Sequence, residues 1–334
     1  MKLSSIYLEK LVVKRESKSF IDSLYAVLSA AGHFDGPKYL LSGLTGMAFK
    51  LSIHERLLPM SVTAYGQWGT EHQPAVDNLG YLTITDSGRV RHSTFRHFQQ
   101  AAIQDTRQNL DQGMGVIYWI PEFGVIHGYD DVDRVFFAKD GISSDDHIIL
   151  YDNFGLNFTS FWYYQTIGEK VDIPIEQSIL ESLRLAIHDW DTPFKLLPGK
   201  EVANGKEAYT YWINALNSGD YDAGGAMYIL DSHIVSRTEI RNYLQYIQGT
   251  WAGLKDAVGL FEQLLQHMEI AATCIVKDRE ARRIDPTFLQ LFIQSLESAR
   301  LLEDQAMGIF KQISAGFPDP KRSTLPRWGT HSAR

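Results

Sequence analysis

The sequence predicts an α+β fold, with an antiparallel sheet and packed helices first and a mostly α-helical part after it. Two observations carry this. Between Val116 and Phe158, four short apolar runs (116–120, 123–126, 134–138 and 147–151) are rich in aromatic and β-branched residues. Gly128, Asp130, Asp131 and the stretch 141–144 supply turn chemistry between them, which is the pattern of a meander. From Ile175 onward the apolar residues recur instead at steps of three and four, the spacing of one helix face.

Taken in order, residues 6–13 read as a first strand and 19–31 as a helix whose apolar face is Phe20, Leu24, Val27, Leu28 and Ala31. Gly32 stands where a left-handed residue closes that helix, and Ser19 with Asp22 matches a capping box at its start. Gly43 and Gly46 read as turn glycines before a short strand at 47–51. Residues 67–78 suggest a short helix, 80–90 a strand or hairpin turning at 86–88, and 95–110 an amphipathic helix. After the meander, 158–171 adds a strand. Helical stripes follow at 175–190 and 208–216. The longest, from Ile240 to Ile275, alternates steps of four and three over five heptads and reads as one continuous helix. Asp285–Pro286 starts a last helix, pairing with it as a hairpin. The expected organisation is a domain at 1–172, a helical domain at 173–316 and a disordered tail at 317–334, rich in Pro, Arg and Ser.

Composition narrows the function. At 334 residues, 44% apolar and 22% charged, the chain has an ordinary soluble balance. A net charge of −8 without a basic run argues against a nucleic-acid partner. The single cysteine, Cys274, excludes an internal disulfide framework and a cysteine-rich zinc site. No run approaches the roughly 18–20 apolar residues of a membrane span, and the first residues lack a signal-peptide core. The expectation is a cytoplasmic protein without a membrane partner. Neither phosphate-loop spacing is present, so no cofactor is expected.

Eleven histidines raise the question of a metal, but their spacing opposes one. His54–Glu55 is followed by Leu58 where a zinc helix needs its second histidine, and His92 and His97 are five apart. His127 reads as a strand residue bonded to backbone, Glu71–His72 as an exposed helix start with a pocket as the alternative, and Asp152–Asn153 as a turn.

The order of these features carries a resemblance. A helix after a short N-terminal segment, then Gly-Leu-Thr-Gly-Met-Ala-Phe at 43–49, a strand ending Gly-Tyr-Asp-Asp at 128–131 and a later one ending Tyr-Asp-Asn at 151–153 resemble the papain-like fold of bacteriocin-leader cysteine peptidases. The resemblance is closer to the N-terminal domain of butirosin biosynthesis protein H. It covers roughly residues 1–172, and relatives of that group also carry a helical C-terminal part. It implies an acyltransferase acting through a cysteine acyl-enzyme on a carrier-protein-bound acyl group. It places the nucleophile at Ser19, the histidine at Glu122 and the orienting residue at Asp152 or Asn153. Nucleophile and base both depart from the family's pattern, and serine without a histidine is a poor nucleophile at neutral pH.

Three readings stay open. One is a degenerate, non-catalytic papain-like protein with an accessory or binding role, in bacterial secondary metabolism by analogy, toward a small molecule, peptide or carrier-bound acyl group. Another is an acyltransferase or hydrolase using Ser19 with Glu122 or His127. The third is an interaction protein acting through its helical hairpin. Cysteine chemistry at Cys274 is not expected, because it falls late in a helix beside a packing stripe.

Overall fold

The computed structural model describes residues 4–59, 68–119, 122–156, 161–195, 199–278 and 281–318. In chain order its elements begin with β1 (Ser5–Tyr7), α1 (Ser19–Ala30), α2 (Lys38–Leu44), β2 (Ser52–His54) and α3 (Trp68–Asp77). Then come β3 (Tyr81–Arg89), α4 (Phe95–Asp111), β4 (Val116–Trp119), β5 (Phe123–Asp130), β6 (Val135–Lys139), β7 (His147–Leu150) and β8 (Phe161–Lys170). The remainder is α5 (Ile175–Asp191), β9 (Val202–Asn204), α6 (Gly205–Ser218), α7 (Ala223–Ile247), α8 (Leu254–Thr273), β10 (Ile275–Asp278), β11 (Ala281–Ile284) and α9 (Leu289–Ala315). The fold class is α+β. Of the tail expected at 317–334, residues 319–334 lie outside the described residues, while Phe317 and Pro318 lie within them.

Two compact units result, and they do not divide where the sequence suggested. One comprises residues 1–38 and 79–172, the other 39–78 and 173 onward. Residues 39–78 leave the first domain because their polar partners lie downstream. Ser42 Oγ donates to Glu239 Oε2 at 2.7 Å, Ser52 Oγ to Asn204 Oδ1 at 2.7 Å, and Asn78 Nδ2 to the Ser178 carbonyl at 2.8 Å. β2 also pairs with β9.

In the first unit a seven-stranded antiparallel sheet has the order β3-β8-β4-β5-β6-β7, with β1 also bonded to β5. The meander is as expected in kind. The strand at 80–90 does not turn at 86–88 but runs on beside β8, whose partners for it extend from Lys170 to Phe161. β1 covers only 5–7, shorter than the 6–13 expected. Alternation along the strands sorts the faces. Val116, Tyr118, Ile126, Tyr129, Phe136, Ala138, Trp162 and Tyr164 pack with Phe95, Ala102 and Leu110 of α4. Phe123, of the opposite parity in β5, meets Phe20 of α1 edge-on at 5.8 Å and Tyr163 at 5.7 Å. α1 and α4 therefore take opposite faces.

The second unit is built mainly of helices, with β2–β9 and the β10–β11 hairpin as short antiparallel pairs. Residues 47–49 form a 3-10 turn rather than a strand, and Gly43 sits inside α2 rather than in a turn. There it is needed for contact, since a Cβ on Gly43 would lie 2.1 Å from Cγ of Tyr243. The continuous helix expected from 240 to 275 is two helices, α7 and α8. Gly253, at φ +93°, turns the chain between them. Ile247 and Leu254 are both buried seven residues apart, which is why the heptad pattern passes through the break unmarked. Arg237 of α7 and Glu303 of α9 pair at 2.6 Å with both side chains at 0% exposure, and the Tyr209 hydroxyl donates to the same carboxylate at 2.7 Å. No helix among the described residues is long and apolar enough to cross a membrane.

Candidate functional site

The site singled out by sequence lies where α1 begins. The chain reaches it past the end of β6. The Arg15 amide donates to the Gly141 carbonyl at 3.1 Å, while Arg15 Nη2 donates to the carbonyls of Phe123, at 2.8 Å, and Asp140. One guanidinium edge thus ties the start of β5 to the end of β6. Its other donors, Nε and Nη1, are buried without a hydrogen-bond partner among the described residues.

Ser19 is the first residue of α1, not its cap, so the capping box is corrected here. The cap position falls to Lys18, with no side-chain capping bond. Ser19 is fully buried and its hydroxyl has no hydrogen-bond partner among the described residues, and the same holds for Ser23 one turn on. Asp22 performs the reciprocal half of a box. Its carboxylate accepts from the amides of Glu16 at 2.9 Å and Ser17 at 3.0 Å and pairs with Lys38 at 2.9 Å. A carboxylate in the first turn also suits the positive end of the helix dipole.

Glu122 stands half-buried one residue ahead of Phe123, the residue that Phe20 packs against and Arg15 bonds. Ser19 and Glu122 thus each adjoin a member of one touching ring pair. Asp152 and Asn153 do not join them. They form a 3-10 turn beyond β7, and the Asp152 carbonyl accepts from Arg96 at 2.9 Å and Gln99 at 3.2 Å on α4, the helix of the opposite sheet face. The Asp152 side chain is 81% exposed, with Arg134 at 3.2 Å. The expected grouping of Ser19, Glu122 and Asp152 is therefore not formed, because the turn after β7 carries Asp152 to the α4 side of the sheet.

The carboxylate at the α1 end is Asp140, which the sequence reading did not single out. It accepts from the amides of Ile142 and Ser143, each at 2.8 Å, and from His147 Nε2 at 2.9 Å. Burial works to raise its pKa, but those bonds outweigh it and hold the carboxyl at about 2. The signal was available only through register, since nothing local distinguishes Asp140 from Asp145.

His127 is the bulged residue of β5, inserted between Ile126 opposite Ala138 and Gly128 opposite Phe137. It is buried, and it bonds a side chain rather than the backbone partner expected. Its Nε2 lies 3.0 Å from Asp146 Oδ1, which also meets Lys139 Nζ at 2.8 Å, and Tyr7 donates to Asp146 Oδ2 at 2.7 Å. Burial tends to raise the Asp146 pKa, and the bonds from Lys139, Tyr7 and His127 hold it below its ordinary value. The Tyr7 phenol is pushed up to about 12 by the same carboxylate. Both histidines of this region are engaged by aspartates, and neither bonds Ser19.

In the second unit the Glu71–His72 pair is not an exposed helix start. His72 is 2% exposed and Glu71 is joined to both Lys50 and Lys195. Cys274 is buried after α8, its Sγ 3.5 Å from the Ile270 carbonyl, and burial pushes its thiol up. No group of three or more His, Cys, Asp or Glu among the described residues could hold a metal ion. Comparison with protein-family models and with curated proteins finds no match to this chain.

Proposed function

We propose that the first unit is a binding module of the papain-like kind that does no covalent chemistry, serving in the cytoplasm as an accessory protein for a small molecule, peptide or carrier-bound acyl group. One observation supports this reading above the others. Near the start of α1 the Ser19 hydroxyl and the Arg15 Nε and Nη1 are each buried without a hydrogen-bond partner among the described residues, and His127 and His147 bond aspartates rather than the serine. A hydroxyl with no base to take its proton is not activated for attack. An unpaired buried donor costs about 1–3 kcal/mol, so a ligand oxygen that accepts from one of these donors recovers that cost. A carbonyl or carboxylate oxygen fits that need, because both accept and neither donates when ionised.

The test uses the full chain with short acyl thioesters of N-acetylcysteamine and their free carboxylic acids as probes. Calorimetry should detect binding that falls tenfold or more in Arg15→Met and is partly kept in Arg15→Lys. A fluorophosphonate should leave the protein unlabelled, and thioester hydrolysis should stay at the buffer rate. Labelling or turnover that disappears in Ser19→Ala would sink the proposal in favour of a serine enzyme.

A further inference from the structure

The sheet of the first unit ends in a strand with one free side. β7 lies last in the strand order and pairs, among the described residues, only with β6, His147 to Leu150 facing Ala138 to Val135. Just beyond it the Tyr151 amide donates to the Arg134 carbonyl at 2.9 Å. Backbone groups of an antiparallel strand turn to alternate sides, residue by residue. His147 and Ile149 therefore bond β6, while the N–H and C=O of Ile148 and Leu150 point outward. No backbone group among the described residues meets them. Edge strands are commonly blunted by lysine or proline, and His147–Leu150 carries neither.

The side chains on that edge are apolar yet stand in water, Ile148 at 65% exposure and Leu150 at 48%. Ile148 ends a row across the sheet in which Tyr7 stands opposite Gly128, Gly128 opposite Phe137, and Phe137 opposite Ile148. A Cβ on Gly128 would lie 3.1 Å from Cδ2 of Tyr7 and 3.3 Å from Cδ2 of Phe137, so the two rings close over the glycine. Their centroids are 5.7 Å apart. An apolar strip thus leads out to a ladder with open bonds. Both ends of the edge are acidic. Asp145 precedes β7, exposed and paired with no cation among the described residues. Asp152 follows it, its side chain 81% exposed with Arg134 at 3.2 Å. From residue 133 to 152, five aspartates stand against Arg134 and Lys139.

Two copies of this edge do not suit one another. Antiparallel pairing centred on β7 would set Asp145 of one copy opposite Asp152 of the other, and like charges directly opposite are destabilising. We propose that β7 takes an extended basic peptide as an added strand. The peptide backbone completes the ladder at Ile148 and Leu150, and its alternate apolar side chains lie along the strip that Phe137 and Ile148 continue. A lysine or arginine at each end faces Asp145 and Asp152. In strand addition of this kind main-chain bonds give the affinity and side chains the choice of partner. It is independent of the ligand proposed for Arg15.

Fluorescence anisotropy on the full chain tests this, with a labelled heptapeptide that alternates valine and threonine between terminal lysines and a glutamate-ended counterpart. The lysine-ended peptide should bind at least about tenfold more tightly, and added salt should narrow the gap. Ile148→Pro removes an outward N–H and takes no bond from β6, so binding should weaken at least about tenfold while the circular dichroism spectrum stays that of the parent. Asp145→Lys combined with Asp152→Lys changes only exposed carboxylates and should reverse the preference between the two peptides. Absence of binding, equal binding of both peptides, or binding untouched by Ile148→Pro overturns the proposal. So does a dimer in sedimentation that Ile148→Pro dissolves, since a second copy would then hold the edge.

Discussion

A single carboxylate, Glu71, shows how much depends on one residue in a buried charge circuit. Burial alone would raise its pKa, but Lys50 and then Lys195 outweigh that and bring it down to about 2. A group whose folded pKa is depressed contributes stability above its unfolded value, and that contribution is lost as pH falls through the folded one. For Glu71 the window runs from about pH 4.5 down to about 2. Urea unfolding should therefore show a midpoint that drops across this window, and the drop should be shallower in Glu71→Gln. At neutral pH that substitution should cost about 3–5 kcal/mol, because it removes a buried carboxylate that two lysines share. A change under about 1 kcal/mol would mean that the circuit is open to water.

At the scale of elements, α2 and α7 are joined by a contact that has no tolerance. The Tyr243 ring fills the space a Gly43 side chain would need, and its hydroxyl is held 2.7 Å from Ser182 Oγ, so it cannot swing aside. Gly43→Ala should cost about 3 kcal/mol, the upper end for overpacking, although alanine is the better helix former by about 1 kcal/mol. Calorimetric melting of the variant would show it, and an unchanged Tm would refute it. The same elements show what sequence could and could not reveal. The strands of the meander were legible because apolar runs and turn residues alternate locally. The break between α7 and α8 was not, since the buried positions keep step on both sides of it. Gly43 looked like a turn residue because its reason lies 200 positions away in Tyr243. In the candidate site, Ser19 and Glu122 were proposed from their order along the chain. Asp140 was missed and Asp152 wrongly preferred, because only the pairing of β5, β6 and β7 decides which carboxylate returns to α1.

At the scale of the whole molecule, the first unit is interrupted. Its two pieces meet where they are cut, for the Tyr81 hydroxyl donates to the His33 carbonyl at 2.7 Å. A chain in which residue 38 is joined to residue 79 by a short Gly/Ser linker and ends at 172 should therefore fold and melt cooperatively. The contiguous fragment 1–172 should instead bind a hydrophobic dye, because it carries Leu41, Leu44, Phe49 and Ile53 without the helices that bury them. If the contiguous fragment proves the better behaved, the division into units is wrong. The interruption also bears on how the protein is made. Ribosomes deliver the chain from its N-terminus at about 5–20 residues per second. Some 95 residues separate Asn78 from Ile173, so the early segment waits on the order of 5–20 s before the first of its partners emerges. During that interval the first unit can complete itself around an unsatisfied loop of forty residues, a nascent state that a cell's chaperones would be expected to hold.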